Sequence, residues 1–201
     1  MNDKFFTLPK ARQQAILNAG YHVFAKNSYK KTPVSEVAVA AGISKSLLFY
    51  YFRNKQELYL FLWENCIHAT VRSMNAYDCY NQTSLFEMLE RGMQAKMHLM
   101  HEYPDMGNFA IRAFYEEDPA VAPAVRKSYQ AFQNADAKDA LESLDPSQFK
   151  DGLDLNLMYR EMYLATEGYL WEMLRHTPID SQTMAQDFGD MIRFWKQLYL
   201  K

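Results

Sequence analysis

Residues 32–55, TPVSEVAVAAGISKSLLFYYFRNK, constrain the fold of this chain more than any other stretch. Val34, Val37, Ala38 and Ala41 recur at helical spacing and make one apolar face. Thr32 stands where a cap would, and Pro33 falls at a first helical position, where a missing N–H costs nothing. Gly42 stops this helix, because glycine enters the left-handed conformation of helix ends without a Cβ clash. Ser44 can then cap a second short helix. That helix has Ile43, Leu48 and Phe52 for its core, yet it also carries Lys45, Ser46, Leu47, Phe49, Tyr50 and Tyr51. So many large side chains beyond one buried stripe suit a helix that touches another molecule.

Charge points to the same stretch. Residues 1–55 hold nine Lys and Arg against Asp3 and Glu36, a surplus of +7, while residues 56–201 carry −9. The overall charge of −2 therefore conceals a basic head on an acidic body. Such a head attracts polyanions, and binding there should weaken steeply with salt.

Other classes find little support. No apolar run reaches the eighteen or so residues of a membrane span, and MNDKFFTLPKAR lacks the apolar core of a signal peptide, so a cytoplasmic protein is expected. Cys66 and Cys79 are the only cysteines and lack flanking ligands. His98, His101 and Glu102 lie close on one helix, but two histidines three apart make a weak metal site. With no nucleophile–base arrangement and no glycine-rich phosphate loop, neither an enzyme nor a cofactor is expected.

Proline and its neighbours punctuate a chain that otherwise reads as helix. The expected helices run over about 9–26, 33–41, 45–52, 54–77, 84–103, 105–116, 118–144, 153–176 and 181–200. Asp145-Pro146, Gly152 and Thr177-Pro178 mark the later breaks. Asn54, with Glu57 three residues on, has the pattern of a capping box. The helix behind it, roughly 35 Å long at 1.5 Å per residue, would lead from the head into the body. The expected fold class is all-α: a three-helix head over residues 1–53, and a helical body over residues 54–201.

The basic head, the run Gly42-Ile43-Ser44-Lys45, then Leu48, the aromatics ending at Phe52, and Asn54-Lys55 opening a long helix resemble the TetR family of bacterial transcriptional regulators. The resemblance covers about residues 8–62. It implies a homodimer that places its third helix in the major groove of an operator in double-stranded DNA, and a body that binds a small-molecule effector. The DNA-facing set it implies is Thr32, Ser44, Lys45, Ser46, Leu47, Phe49, Tyr50, Tyr51 and Lys55. Lys45 and Ser46 lie at the exposed start of the recognition helix, where base edges are read. Thr32, Lys55, Tyr50 and Tyr51 correspond to backbone contacts, although one of the two tyrosines could pack against the first helix instead. Leu47 stands where the family often has a small polar residue, and Phe49 replaces a tyrosine; both changes favour apolar contact, such as with a thymine methyl.

In the body, eleven of twelve methionines lie between Met74 and Met191. Flexible, polarizable side chains suit a pocket for apolar or aromatic compounds, though each could equally be core. Met97, Met100, Phe109, Tyr115, Phe132, Met162, Tyr163, Glu167 and Trp171 are the candidate lining. Met184, Phe188, Met191, Trp195 and Leu198 repeat with the four–three spacing of closely packed helices. With Ala165 and Tyr169 they are the candidate dimer interface, completing a four-helix arrangement with the eighth helix. The expected function is a ligand-responsive transcriptional repressor released from its operator by a small apolar or aromatic effector. The alternative is a helical sensor or carrier that no longer binds DNA; it would keep the Met-rich body but have no use for Lys45, Lys55 and the basic head.

Overall fold

The computed structural model describes residues 3–142, 144–176 and 180–201, with side chains at all of these except 133–142, 174, 176 and 181. Among them are nine α-helices: α1 (Lys10–Lys26), α2 (Val34–Ala40), α3 (Lys45–Tyr51), α4 (Lys55–Ala76), α5 (Leu85–Glu102), α6 (Met106–Phe114), α7 (Ala122–Glu142), α8 (Leu155–His176) and α9 (Ser181–Tyr199). An isolated pairing of Phe149 with Leu200 is the one β-bridge in the described part, so the all-α expectation holds. The break expected at Thr177-Pro178 lies outside the described residues.

Packing divides the chain into two compact units, Met1–Ala69 with Met100–Phe132, and Thr70–Leu99 with Gln133–Lys201. In the first unit, α1 buries Ile16, Ala19, Gly20, Val23 and Phe24 along one face. Gly20 lets α1 and α4 approach closely there, because a Cβ would stand 2.7 Å from Leu62 Cδ1 on α4 and force that side chain to shift. Tyr21 donates from its hydroxyl to the Leu62 carbonyl at 3.2 Å and accepts from Asn65 Nδ2 at 2.9 Å, which satisfies a polar atom inside the core. Its ring is tilted on Phe109, and Phe109, Phe24 and Tyr59 stack edge-on or tilted on one another, joining α1, α4 and α6. Burial raises the Tyr59 phenol far above its ordinary pKa.

The helix-turn-helix follows from local chemistry. Gly42 sits at φ +61°, Ile43 N–H reaches back to Ala38 O at 3.0 Å, and Gly42 N–H to Val39 O at 3.0 Å. These are the paired bonds of a Schellman ending, which needs the left-handed residue at that point. Ser44 Oγ accepts the Leu47 N–H at 3.1 Å, and Asn54 Oδ1 accepts the Glu57 N–H at 2.8 Å, so the expected caps of α3 and α4 are both formed. Arg12 of α1 pins the turn by donating to the Gly42 carbonyl at 3.1 Å.

Two local expectations are corrected. Thr32 does not cap α2: its hydroxyl turns back to donate to Ser28 O at 2.9 Å, which closes the α1–α2 loop and leaves Pro33 at the cap position. The seventh helix starts at Ala122 rather than near Asp118. The Asp118 carboxylate accepts the Ala120 N–H at 3.0 Å and its carbonyl accepts those of Val121 and Ala122, forming a separate turn first.

The second unit is built on Leu85 and Phe86 of α5, Phe149, Met158 and Met162 of α8, and Ile192 and Trp195 of α9. Asp180 caps α9 by accepting the Thr183 N–H at 2.9 Å and its hydroxyl at 2.7 Å.

Candidate nucleic-acid interface

Helix α3 divides its side chains cleanly. Leu48 is fully buried and Phe52, just beyond the helix, is 1% exposed, whereas Leu47 is 37% and Tyr50 45% exposed. Ser44, Lys45 and Ser46 are exposed, and Phe49 is half-buried beneath the Lys45 ammonium, 5.8 Å from its ring centre. The inner line packs against α2 and, through Phe52 and Phe61 with ring centres 5.2 Å apart, against α4, so the outer line is held on a rigid support. It presents a cation, two hydroxyl groups, a leucine and a phenol within two turns, a mixture suited to base edges, a thymine methyl and phosphate oxygens.

Three members of the expected DNA-facing set stand differently. Tyr51 is 7% exposed, its ring 6.1 Å from that of Phe5, so of the two tyrosines Tyr50 faces out and Tyr51 belongs to the core. Thr32 is 2% exposed and occupied with Ser28, as described above. Lys55 is half-buried, donates to the Lys30 carbonyl at 3.2 Å and stands 4.8 Å from the centre of the Tyr29 ring. Burial pulls its pKa down, with Asp118 and Glu116 partly offsetting the fall. Its charge therefore holds the α1–α2 loop, and Lys45 is the cation of this set that projects outward.

The candidate ligand residues are distributed over both units. In the first, Phe109 is enclosed by Tyr21, Phe24 and Tyr59, which makes it core. Met100 packs on Gly107, Tyr115 on Phe114 with ring centres 4.9 Å apart, and Phe132 on Tyr129 at 6.3 Å. In the second, Met162 is buried in the core and Met97 is half-buried. Burial, and then the neighbouring Glu167, raise the Tyr163 phenol above its ordinary pKa, whereas Trp171 is 48% exposed. Among the described residues no three of His, Cys, Asp and Glu are grouped to hold a metal ion. No described helix is long and apolar enough to cross a membrane.

The seam expected for a dimer is largely turned inward. Met184 and Trp195 are buried within the second unit, and Ala165 and Met191 pack against the same core. Phe188 meets Tyr169 at 5.0 Å between ring centres, and the Tyr169 hydroxyl donates to Asp187 at 2.7 Å, joining α8 to α9 inside one chain. Of the expected seven, Leu198 remains exposed. Beside it lies a second apolar line of α8 that the sequence also shows, Leu157, Leu164 and Trp171; these and Phe194 on α9 are all exposed. The seven-residue spacing of the three on α8 was the available signal. An open groove of about 530 Å³ runs beside Leu157, Arg160, Glu161, Leu164 and Ala165.

Residues 16–61 match the model of a family described as bacterial regulatory proteins, tetR family. The HTH-type transcriptional regulator RutR of Escherichia coli (strain K12) is 26% identical over 113 residues, covering 56% of this chain and 50% of that protein. The chain thus spans about half the length of that curated relative. Among solved structures, the ketosteroid transcriptional regulator KstR2 of Mycobacterium tuberculosis superposes with a TM-score of 0.63 at 16% identity, covering 96% of this chain and 97% of that one. FadR of Bacillus subtilis in complex with stearoyl-CoA gives 0.58 at 17% identity, covering 89% and 96%. At these identities the structural likeness concerns the fold.

Proposed function

Because this chain belongs to the TetR family of bacterial regulatory proteins, we propose that it is a DNA-binding transcriptional repressor which a small apolar or aromatic effector releases from its operator. The observation that carries this reading is the division of α3: Leu48, Tyr51 and Phe52 are buried while Lys45, Ser46, Leu47 and Tyr50 are offered to solvent. Lys45 and Ser46 read base edges, Leu47 makes apolar contact, and Tyr50 reaches the backbone. The surplus of +7 over residues 1–55 draws the head to the duplex.

Two chains act together. The exposed line Leu157, Leu164, Trp171, Phe194 and Leu198 is the surface we assign to a second copy, since apolar rows of this length on a lone subunit favour association. A twofold pair would set its recognition helices about 34–36 Å apart, one turn of DNA.

The effector class rests on the methionines and aromatics of α5, α6 and α8, and on the long-chain acyl group in the FadR complex, a property of that protein. Coupling to DNA is supported by the grip of residues 102–120 on the head and on the start of α4. Arg112 Nε donates to Ala25 O at 2.8 Å, Gln14 Nε2 to Glu102 O at 3.0 Å, and Gln56 Nε2 to Ala120 O at 2.5 Å. An effector that moves this segment moves α1, and linkage then requires DNA and effector to weaken each other equally, typically by about 1–3 kcal/mol.

The test is to select duplex fragments from genomic DNA with the purified full chain, then titrate the complex with long-chain acyl-CoA, free fatty acids and aromatic acids. The expected result is a selected fragment with twofold symmetry and a drop in its affinity of roughly tenfold with at least one probe. A chain that selects no fragment overturns the DNA-binding reading; one that selects a fragment but responds to no probe of these classes overturns the effector assignment.

A further inference from the structure

Residues 3–8 fold onto the flank of the recognition helix. Asp3–Phe5 form a single 3-10 turn, and the Phe5 side chain is 1% exposed. Its ring lies 5.3 Å from Phe52, 5.2 Å from Phe61 and 6.1 Å from Tyr51, between α3 and α4. Phe6 stands edge-on to both Phe5 and Phe61. Gln13 Nε2 donates to the carbonyls of Phe6 at 3.2 Å and Leu8 at 2.8 Å, and the Thr7 hydroxyl donates to the Lys4 carbonyl at 2.8 Å. Residue 4 is therefore fixed on both sides, although it precedes the residues 16–61 shared with the family model.

On the outer side of this anchor, Lys4 is exposed and its ammonium stands 5.4 Å from the centre of the Tyr50 ring. The Tyr50 side chain holds the Lys4 pKa above its ordinary value, chiefly by hydrogen bonding. An exposed cation–aromatic pair contributes little to folding. Its placement is the consequential feature: an ammonium and a phenol hydroxyl, both donors, sit together beside the outward face of α3. Such a pair matches the oxygens of a single phosphate.

We propose that Lys4 and Tyr50 together hold one phosphate of the DNA backbone at the edge of the groove that α3 enters, with Phe5 as the anchor that positions Lys4. This rests on the DNA-binding reading above and adds to it a contact from the N-terminal turn. A neutralised phosphate releases condensed counterions, so the contact is visible in the salt dependence of binding whatever the base sequence.

The experiment measures the affinity of the full chain for a short random-sequence duplex across a salt series, for the wild type, Lys4→Ala and Lys4→Arg. Lys4 is exposed, so all three should melt alike. Lys4→Ala should bind several-fold more weakly at low salt, with the slope of log K against log salt shallower by about one per bound chain. Lys4→Arg should keep the wild-type slope. Wild-type affinity and slope in Lys4→Ala overturn the inference, as does a Lys4→Arg that loses as much as Lys4→Ala, since the role would then not be one of charge. A wild type without salt-dependent binding overturns the DNA-binding reading and this inference with it.

Discussion

The Glu116 carboxylate accepts the backbone N–H of Tyr29 at 2.6 Å, joining the segment after α6 to the loop that leads into the helix-turn-helix. Its other oxygen accepts the N–H groups of Glu117 at 3.1 Å and Asp118 at 3.0 Å. One side chain thus orders two loops at once, and 87 residues of chain separate its ends.

Glu116→Ala should lower stability by about 1–3 kcal/mol, because three backbone donors lose a charged acceptor. The midpoint of urea unfolding should fall with little change in its slope. An unchanged midpoint would mean that water replaces the carboxylate at no cost.

Gly20→Ala should destabilise the chain by about 1–3 kcal/mol. The new methyl would stand 2.7 and 2.9 Å from the two Leu62 methyl carbons, and Leu62 is fully buried with little room to yield. A thermal melt reads the effect directly. Leu62→Ala in the same chain should recover part of the Gly20→Ala loss, measured against Leu62→Ala alone.

Tyr50 and Tyr51 should part company under substitution. Tyr51→Ala removes a ring that is 7% exposed and should cost about 3 kcal/mol of stability. Tyr50→Ala should change stability by no more than about 0.5 kcal/mol while weakening DNA binding. Equal melting losses for the two variants would place Tyr50 in the core instead.

Asp180 should contribute to the acid limb of unfolding. Its hydrogen bonds with Thr183 hold its carboxyl below the ordinary value of 3.8, so the folded state favours the ionised form. That stabilisation is present above pH 3.8 and is lost as pH falls through the lower, folded pKa. Asp180→Ala should therefore lose stability near neutral pH, and its stability should fall less steeply than that of the wild type below pH 3.8. Parallel pH profiles of unfolding free energy would contradict the assignment.

Helix existence and most boundaries were legible because the signals are local. Gly42, Ser44 and Asn54 act within three residues of themselves, and each forms the bond its type suggests. Less legible are the places where a side chain takes its partner by three-dimensional proximity. Thr32 has the position of a cap but donates to Ser28, and Lys55, whose charge suits a phosphate, also donates to the Lys30 carbonyl. Tyr50 and Tyr51 are adjacent and chemically identical, so sequence could not say which one Phe5 would cover. The α9 repeat reported a buried seam correctly, but periodicity does not tell whether the opposing helix belongs to the same chain. Here Met184 and Trp195 face their own unit, while Leu198 at the end of the seam and Phe194 one step around the helix are exposed.

The most direct measurement of the central claim is footprinting of the full chain on a DNA fragment it selects, compared with Lys45→Ala/Ser46→Ala. The account predicts protection of two half-sites about one helical turn apart. It also predicts that the double variant loses at least roughly tenfold in affinity for that fragment while its affinity for random duplex falls far less. A variant that protects the same site with wild-type affinity would contradict the account, because Lys45 and Ser46 would then not be reading DNA.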